Sequence, residues 1–327
     1  MDQTAIALAT FVHGIDPRLA ALFGVPLYHY GLAYALGFAG VYAWFSIRRR
    51  ALGWSAAETV ELSILFAAAV LVFGRAFEIA VYEWDYYARH AGQLLSWWRG
   101  GMASHGVLLG ALLGPWAFCR LRKRPLWLVL DELVVPGALF LALGRIGNFV
   151  NGEIIGTVTG AWWGVKFPAA EGFRHPVTLY ESAKNFVVLG ILLCVRRKVK
   201  PGDGRLLGHF VLWYGLLRIF TDVFRQYGKE LLGIGRGQYF NAAMALAGLV
   251  LLALAARARR AGKAPLPSPP AGPPVTWRLW LKRAAFAGIL LFSLAIPSSW
   301  TKGSLPARPA AAARSPALPP TAPSRIQ

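Results

Sequence analysis

The sequence predicts an all-α, polytopic membrane protein with seven transmembrane helices and its N-terminus outside. Three observations carry that expectation. The 327 residues are 56% apolar and only 15% charged. The apolar residues gather into segments close to the roughly 20 residues that cross a bilayer as helix. The basic residues come in blocks between those segments, as the flanks of membrane spans do.

Taken in chain order, the spans are expected at about 29–47, 56–74, 104–119, 126–146, 176–195, 206–224 and 238–256. No cleavable leader is evident in MDQTAIALATFVHGIDPRLA, which lacks a basic n-region, so the first span is expected to insert intact. In GMASHGVLLGALLG the third span opens at His105, and Gly106, Gly110 and Gly114 recur every fourth residue, a spacing that permits close helix contact. The fourth span ends in GRIGNFVNGE, where Gly147 and Gly152 are expected to loosen the helix and let the chain turn back into the protein. In RHPVTLYES, Pro176 starts the fifth span, where proline suits a first helical turn, and Tyr180 and Glu181 follow. Cys119 and Cys194 sit near span ends and read as packing residues, and no CxxC or His/Cys cluster suggests a metal. GIGRG at 233–237 lacks the Lys-Ser/Thr of a phosphate loop.

A net charge of +20 would suggest nucleic acid in a soluble protein. Here it resides in Arg48-Arg49-Arg50, Arg120 to Arg124, Arg196 to Arg205 and Arg257 to Lys263. These blocks fall in alternate connections, so all four share one side, which the positive-inside rule makes the cytoplasm. No nucleic-acid partner is needed to explain them. The connections 75–103 and 148–175 then face outward with the N-terminus.

Beyond the membrane domain, residues 1–262, the chain changes character. Residues 263–282 begin with KAPLPSPPAGPP and read as a proline-rich linker. The segment 283–300 is apolar but barely long enough to cross, so an eighth span and a non-spanning segment both stay open. Residues 301–327, rich in Ala and Pro, read as disorder.

The polar residues inside the spans carry the functional reading. Arg145 and Asn148 are spaced i and i+3 on one face at the outer end of the fourth span, followed by Asn151 and Glu153. In HFVLWYGLLRIFTDVFRQYG, Tyr214, Arg218, Asp222 and Arg225 are spaced i, i+4, i+8 and i+11. That spacing confines them to a stripe under a quarter of the helix circumference. Charges inside a span are costly, so such a stripe should face a protein interior or an aqueous cavity. Bland readings exist for each: Arg145 snorkelling to headgroups, an Arg218–Asp222 pair holding helices, Tyr30 in an interfacial aromatic belt, His105 as a packing residue. Several arginines together point instead to phosphate, because the planar guanidinium grips phosphate oxygens bidentately, and a phospholipid headgroup is the phosphate at that depth. A histidine suits a nucleophile that must lose a proton. The residues by themselves suggest an enzyme acting on an anionic phospholipid at the outer leaflet.

GRIGNFVNGE also closely resembles the signature of bacterial prolipoprotein diacylglyceryl transferase, and HYGL, MASHG, RHPVTLYE and YGLLRIFTDVFRQ resemble its other motifs in the family's order, over roughly residues 25–260. The resemblance implies a seven-span inner-membrane enzyme whose partners are phosphatidylglycerol and prolipoprotein signal peptides. It would move diacylglyceryl to the lipobox cysteine thiol, releasing glycerol phosphate, without a metal or organic cofactor. By position it implies functional roles for Tyr30, His105, Arg145, Asn148, Glu153, Tyr214, Arg218 and Arg225. Of these, His105 would take the thiol proton, Arg145, Arg218 and Arg225 would stabilise the leaving phosphate, and Asn148, Glu153, Tyr30 and Tyr214 would position lipid and arginines, with Asn151 and Asp222 beside them. The chain departs from the family pattern at Val107, Thr157, Thr178 and Asp222, which bears on substrate range. A divergent paralogue, a transporter for a small anion and a lipid- or lipoprotein-binding membrane protein are the alternative readings; the absence of an internal repeat and the outward clustering of polar residues favour the enzyme.

Overall fold

The computed structural model describes residues 11–226, 230–231, 234–261 and 276–298. Helices dominate. They are α1 (His29–Leu52), α2 (Ala56–Phe77), α3 (Ser104–Arg122), α4 (Leu126–Val150), α5 (Val177–Lys198), α6 (Arg205–Asp222), α7 (Arg236–Arg260) and α8 (Thr276–Leu294). Among the described residues five stretches are long and apolar enough to cross a membrane: His29–Leu52, Ala56–Tyr82, Leu126–Val150, Val177–Lys198 and Gly237–Arg260. The other two segments expected to span, at 104–119 and 206–224, fold as α3 and α6. The chain is thus a multi-pass helical membrane protein.

Local sequence explains where the helices start and stop. Ser55 and Glu58 form a reciprocal capping box at the start of α2. Gly53 closes α1 in the left-handed conformation at φ 65°. The start of α6 is capped from a distance, since buried Asp131 of α4 accepts from the backbone N–H groups of Gly202, Gly204 and Leu207 at 2.8, 3.0 and 2.9 Å. A carboxylate from a neighbouring helix therefore does what a local cap residue usually does.

Two hydrophobic clusters organise the bundle. One joins α1 to α4 around Phe38, Phe45, Phe66, Phe118 and Val129, with Phe286 of α8 added to it. The other joins α4, α5 and α6 through Val135, Val188, Leu192 and Leu206. The glycine stripe of α3 lies against α2 as its spacing predicts. Gly106, Gly110 and Gly114 face the backbone carbonyls of Phe73, Ala69 and Leu65 so closely that a Cβ at any of them would overlap.

The connections at one end carry the small sheets. β1 (Phe11–Val12) pairs in parallel with β4 (Val165–Lys166), which pairs antiparallel with β5 (Phe173–Arg174); β2 (Arg18–Leu22) and β3 (Val25–Tyr28) form a hairpin leading into α1. A further short pair, β6 (Glu230–Leu231) and β7 (Ile234–Gly235), precedes α7. Buried Arg75 at the end of α2 shapes the connection that follows. Its guanidinium donates to the carbonyls of Gly100 (2.6 Å), Leu94 (3.1 Å) and Gln93 (3.2 Å) and lies over the Tyr87 ring.

Two sequence expectations are corrected. The stretch 263–282 is not linker throughout, because α8 begins at Thr276: Pro274 is the last proline before it, and nothing in TWRLWLKR opposes a helix. The fourth helix does not loosen at Gly147 but runs to Val150; the chain turns at Gly152, whose φ of 67° needs the freedom glycine has. Gly147 serves close packing, with Tyr30 and Ala33 of α1 lying against it. The N-terminal ten residues and the tail 301–327 lie outside the described residues.

Candidate functional site

At the sheet-bearing end, α4, α5 and α6 bring ionic side chains from three separate stretches to one buried carboxylate. Glu181, in the second turn of α5, is fully buried. Its Oε2 lies 2.6 Å from Nε of Arg145 on α4 and accepts from Nη1 of Arg218 on α6 at 3.4 Å. The two arginines keep only 19% and 16% of their side-chain surface exposed, so their charges are largely removed from water. One carboxylate thus serves two guanidinium groups. Lys184, one turn further along α5, adds a third cation. Its Nζ sits 3.5 Å from the centre of the Tyr214 ring and has no hydrogen-bond partner among the described residues, although Lys184 is 5% exposed. Oε1 of Glu181 also lacks a hydrogen-bond partner among the described residues. Arg225 is within electrostatic reach of the same carboxylate.

Around this centre a hydrogen-bonded chain holds Arg145. Its Nη1 donates to Oδ1 of Asn148 at 3.3 Å; Asn148 Nδ2 donates to Oε2 of Glu153 at 2.7 Å; and Asn151 Nδ2 donates to Oε1 of Glu153 at 3.2 Å. The i, i+3 spacing of Arg145 and Asn148 predicted that they share a face, and they do. Burial pushes the Glu153 carboxyl above the usual carboxylate range, while hydrogen bonds from Ser298, Asn148 and Asn151 and the charge of Arg145 pull it back.

The sixth-helix stripe is also present. Arg218 Nη1 donates to the Tyr214 hydroxyl at 3.3 Å. Asp222 is 1% exposed, and its Oδ2 accepts from Asn241 of α7 at 3.3 Å. Arg225 continues the backbone past α6 and bridges to Gly156, while the backbone N–H of Thr157 donates to the Phe224 carbonyl at 2.9 Å. The connection after the GRIGNFVNGE turn is thereby tied to the end of α6. Thr178 is buried in the first turn of α5.

Tyr30 stands beside this group, its ring edge-on to Tyr34 at 5.2 Å and its hydroxyl 3.3 Å from that of Tyr34. His105 is placed differently. It opens α3, exposed, with its ring on Phe77 and Nδ1 3.0 Å from the Tyr82 hydroxyl; among the described residues its contacts include none of the arginine and carboxylate cluster. The structure therefore brings together Arg145, Asn148, Asn151, Glu153, Tyr214 and Arg218, sets Asp222, Arg225 and Tyr30 at their edge, and holds His105 apart.

Sequence reasoning missed two members of this cluster. Glu181 and Lys184 both lie in an apolar helix, and an ionisable residue inside a span is itself a sign of function. That signal was available in VTLYESAKNF, but the spacing within one helix could not show that Glu181 meets arginines from two others.

A family model described as prolipoprotein diacylglyceryl transferase matches residues 17–254. A protein of Mannheimia succiniciproducens is 36% identical over 279 residues, covering 80% of this chain and 100% of its own. One from Oleidesulfovibrio alaskensis is 37% identical over 253 residues, covering 73% and 93%, and one from Geobacter sulfurreducens is 36% identical over 255 residues, covering 74% and 96%. All three are named phosphatidylglycerol–prolipoprotein diacylglyceryl transferase.

Proposed function

The chain belongs to the prolipoprotein diacylglyceryl transferase family, and on that premise we propose that it transfers diacylglyceryl from phosphatidylglycerol to prolipoproteins, the first step of lipoprotein maturation. The acceptor is the thiol of a lipobox cysteine. Helices α1 to α7 cross the bacterial inner membrane with the N-terminus outside, α8 adds an eighth crossing from the end held by Lys282 to the site end, and the arginine cluster lies in the outer half. That orientation is supported by ion pairs that gather basic blocks at the opposite end, Arg196 and Arg48 on Glu132 and Arg124 on Glu58.

The observation that carries the reading is the sharing of Glu181 by Arg145 and Arg218 beside the unpartnered Lys184. Two arginines and a lysine gathered on one buried carboxylate suit an anionic ligand, and a phosphodiester is one. In the reaction the thiolate sulfur attacks the glyceryl CH2 carbon. The carbon–sulfur bond forms as the carbon–oxygen bond to phosphate breaks, and the electron pair leaves on the phosphate oxygen as glycerol phosphate. The leaving group gains negative charge in the transition state, where Arg145, Arg218 and Lys184 stabilise it. A free thiol has a pKa near 8.5, so a base raises the reactive fraction. His105 fills that role: Tyr82 fixes its Nδ1, and among the described residues Nε2 has no protein partner.

Purified protein incubated with phosphatidylglycerol and a lipobox peptide should add a diacylglyceryl mass to the peptide's cysteine and release glycerol phosphate. A peptide recovered unmodified, under conditions in which a curated relative modifies it, would overturn the reading.

A further inference from the structure

Helix α8 lies beyond residues 17–254, the stretch matched by the family model, yet the segment that follows it reaches the edge of the polar site at Glu153. It packs along the groove between α1 and α2. Its far end is held by Lys282, which pairs with Glu61 of α2, a carboxylate that Arg122 of α3 also grips. At the site end the fit is closer. The carbonyls of Ser293 and Leu294 lie directly over Gly31 of α1, leaving no room for a Cβ there. The carbonyls of Pro297 and Ser298 lie in the same way over Gly100, which has a φ of 72°. Phe292 meets Trp97 edge-on at 5.9 Å, and Ser293, Ile296 and Ser298 are 0%, 1% and 2% exposed. Two glycines, one on α1 and one in the 83–103 connection, thus receive backbone from this segment.

The seated segment ends in a polar contact, the Ser298 hydroxyl on the Glu153 carboxylate. Glu153 accepts from Asn148, and Asn148 accepts from Arg145. We propose that α8 completes the transferase site from outside the family core, with Ser298 a positioning residue that holds Glu153 and, through Asn148, the guanidinium of Arg145. The inference rests on the function proposed above, but the contact itself can be tested without turnover.

A hydroxyl donating to a carboxylate favours the ionised form, so removing it raises the carboxyl's pKa. The other groups facing Glu153 are Arg145, Asn148 and Asn151 of the fourth helix and its turn, Tyr30 and Tyr34 of α1, and His13, which packs on Gly152. None of these changes in the experiment. The full-length protein in phosphatidylglycerol nanodiscs is titrated by infrared spectroscopy, the Glu153 carboxyl band being assigned by its loss in Glu153→Gln. In Ser298→Ala the midpoint should rise by about one pH unit, the scale of one hydrogen bond to a charged group. Ser298→Thr, which keeps the hydroxyl, should stay at the wild-type midpoint. The acid limb of kcat/KM for peptide lipidation should move with the band in Ser298→Ala, whereas loosened packing would lower the rate without moving the limb. An unchanged midpoint in Ser298→Ala, a shift shared by Ser298→Thr, or a limb that stays while the band moves would each overturn the proposal. A wild-type protein that fails to lipidate the peptide defeats the proposed function instead, and the infrared midpoints still decide the contact.

Discussion

The two ends of the helical bundle both bury carboxylates among arginines, but they use them differently. At the end that carries the basic blocks, both oxygens of each of four carboxylates accept a hydrogen bond. Glu132 receives Trp44 at 2.9 Å and Arg196 at 2.6 Å; Asp131 receives three backbone N–H groups; Glu58 receives Ser55 and Arg124; Glu61 receives Arg122 through both oxygens. At the opposite end Glu181 is shared by two arginines through one oxygen, and among the described residues its other oxygen accepts no hydrogen bond and the neighbouring Lys184 ammonium, over the Tyr214 ring, donates none. The number of charges does not separate the ends. What separates them is how the carboxylates are used: those filled on both oxygens hold helices together, whereas Glu181, with one free oxygen beside Lys184, keeps hydrogen-bonding capacity for a substrate.

Four predictions press on that contrast. The largest effect is expected at His105, where removing a general base costs on the order of a hundredfold in rate. His105→Gln should lose that much lipidation activity with helix content unchanged; near wild-type rates across pH 6 to 9 would remove His105 from the reaction and leave the chemistry wholly within the cluster. Next is Glu181→Gln set against Glu132→Gln. Each breaks a buried ion pair, at about 3 kcal/mol of stability, and thermal unfolding should show both losses. Only Glu181→Gln should also lower the activity of the molecules that remain folded, and equal specific activities in the two variants would erase the functional difference between the ends.

The third is Arg145→Lys, which keeps the charge and removes the planar fork. Activity should fall by more than tenfold, about 1.4 kcal/mol of transition-state stabilisation, with the protein still inserted. Retained activity would favour simple headgroup snorkelling. The smallest effect is expected for Lys184→Met, which removes the unpartnered cation while leaving both arginines on Glu181. The KM for phosphatidylglycerol and the inhibition constant of glycerol phosphate should both rise about fivefold, roughly 1 kcal/mol of anion binding. An unchanged inhibition constant would make Lys184 a packing residue over Tyr214.

Much of the architecture is legible in the sequence. Segment length and hydropathy give the helices their places, the glycine stripe of α3 announces a close neighbour, and i, i+3 spacing puts Arg145 next to Asn148. Periodicity states which residues share a face of one helix, and these features ask for nothing more. The helical character of 276–282 was legible too, and was obscured by the prolines before it. Ser298 on Glu153 was not, since 145 positions separate two residues whose local sequences contain no sign of each other.

By itself, then, the sequence determined a multi-pass helical membrane protein with polar residues concentrated where its helices end, because apolar length and flanking charge act locally on insertion. Tertiary structure alone decided that Glu181 is the carboxylate two arginines share, that Asp222 answers to Asn241, that His105 stands apart with Tyr82, and that α8 reaches the site. The reason is geometric. Which helix faces which depends on close approach at small residues such as Gly31 and Gly110, and a buried charge takes its partner from whatever that packing delivers.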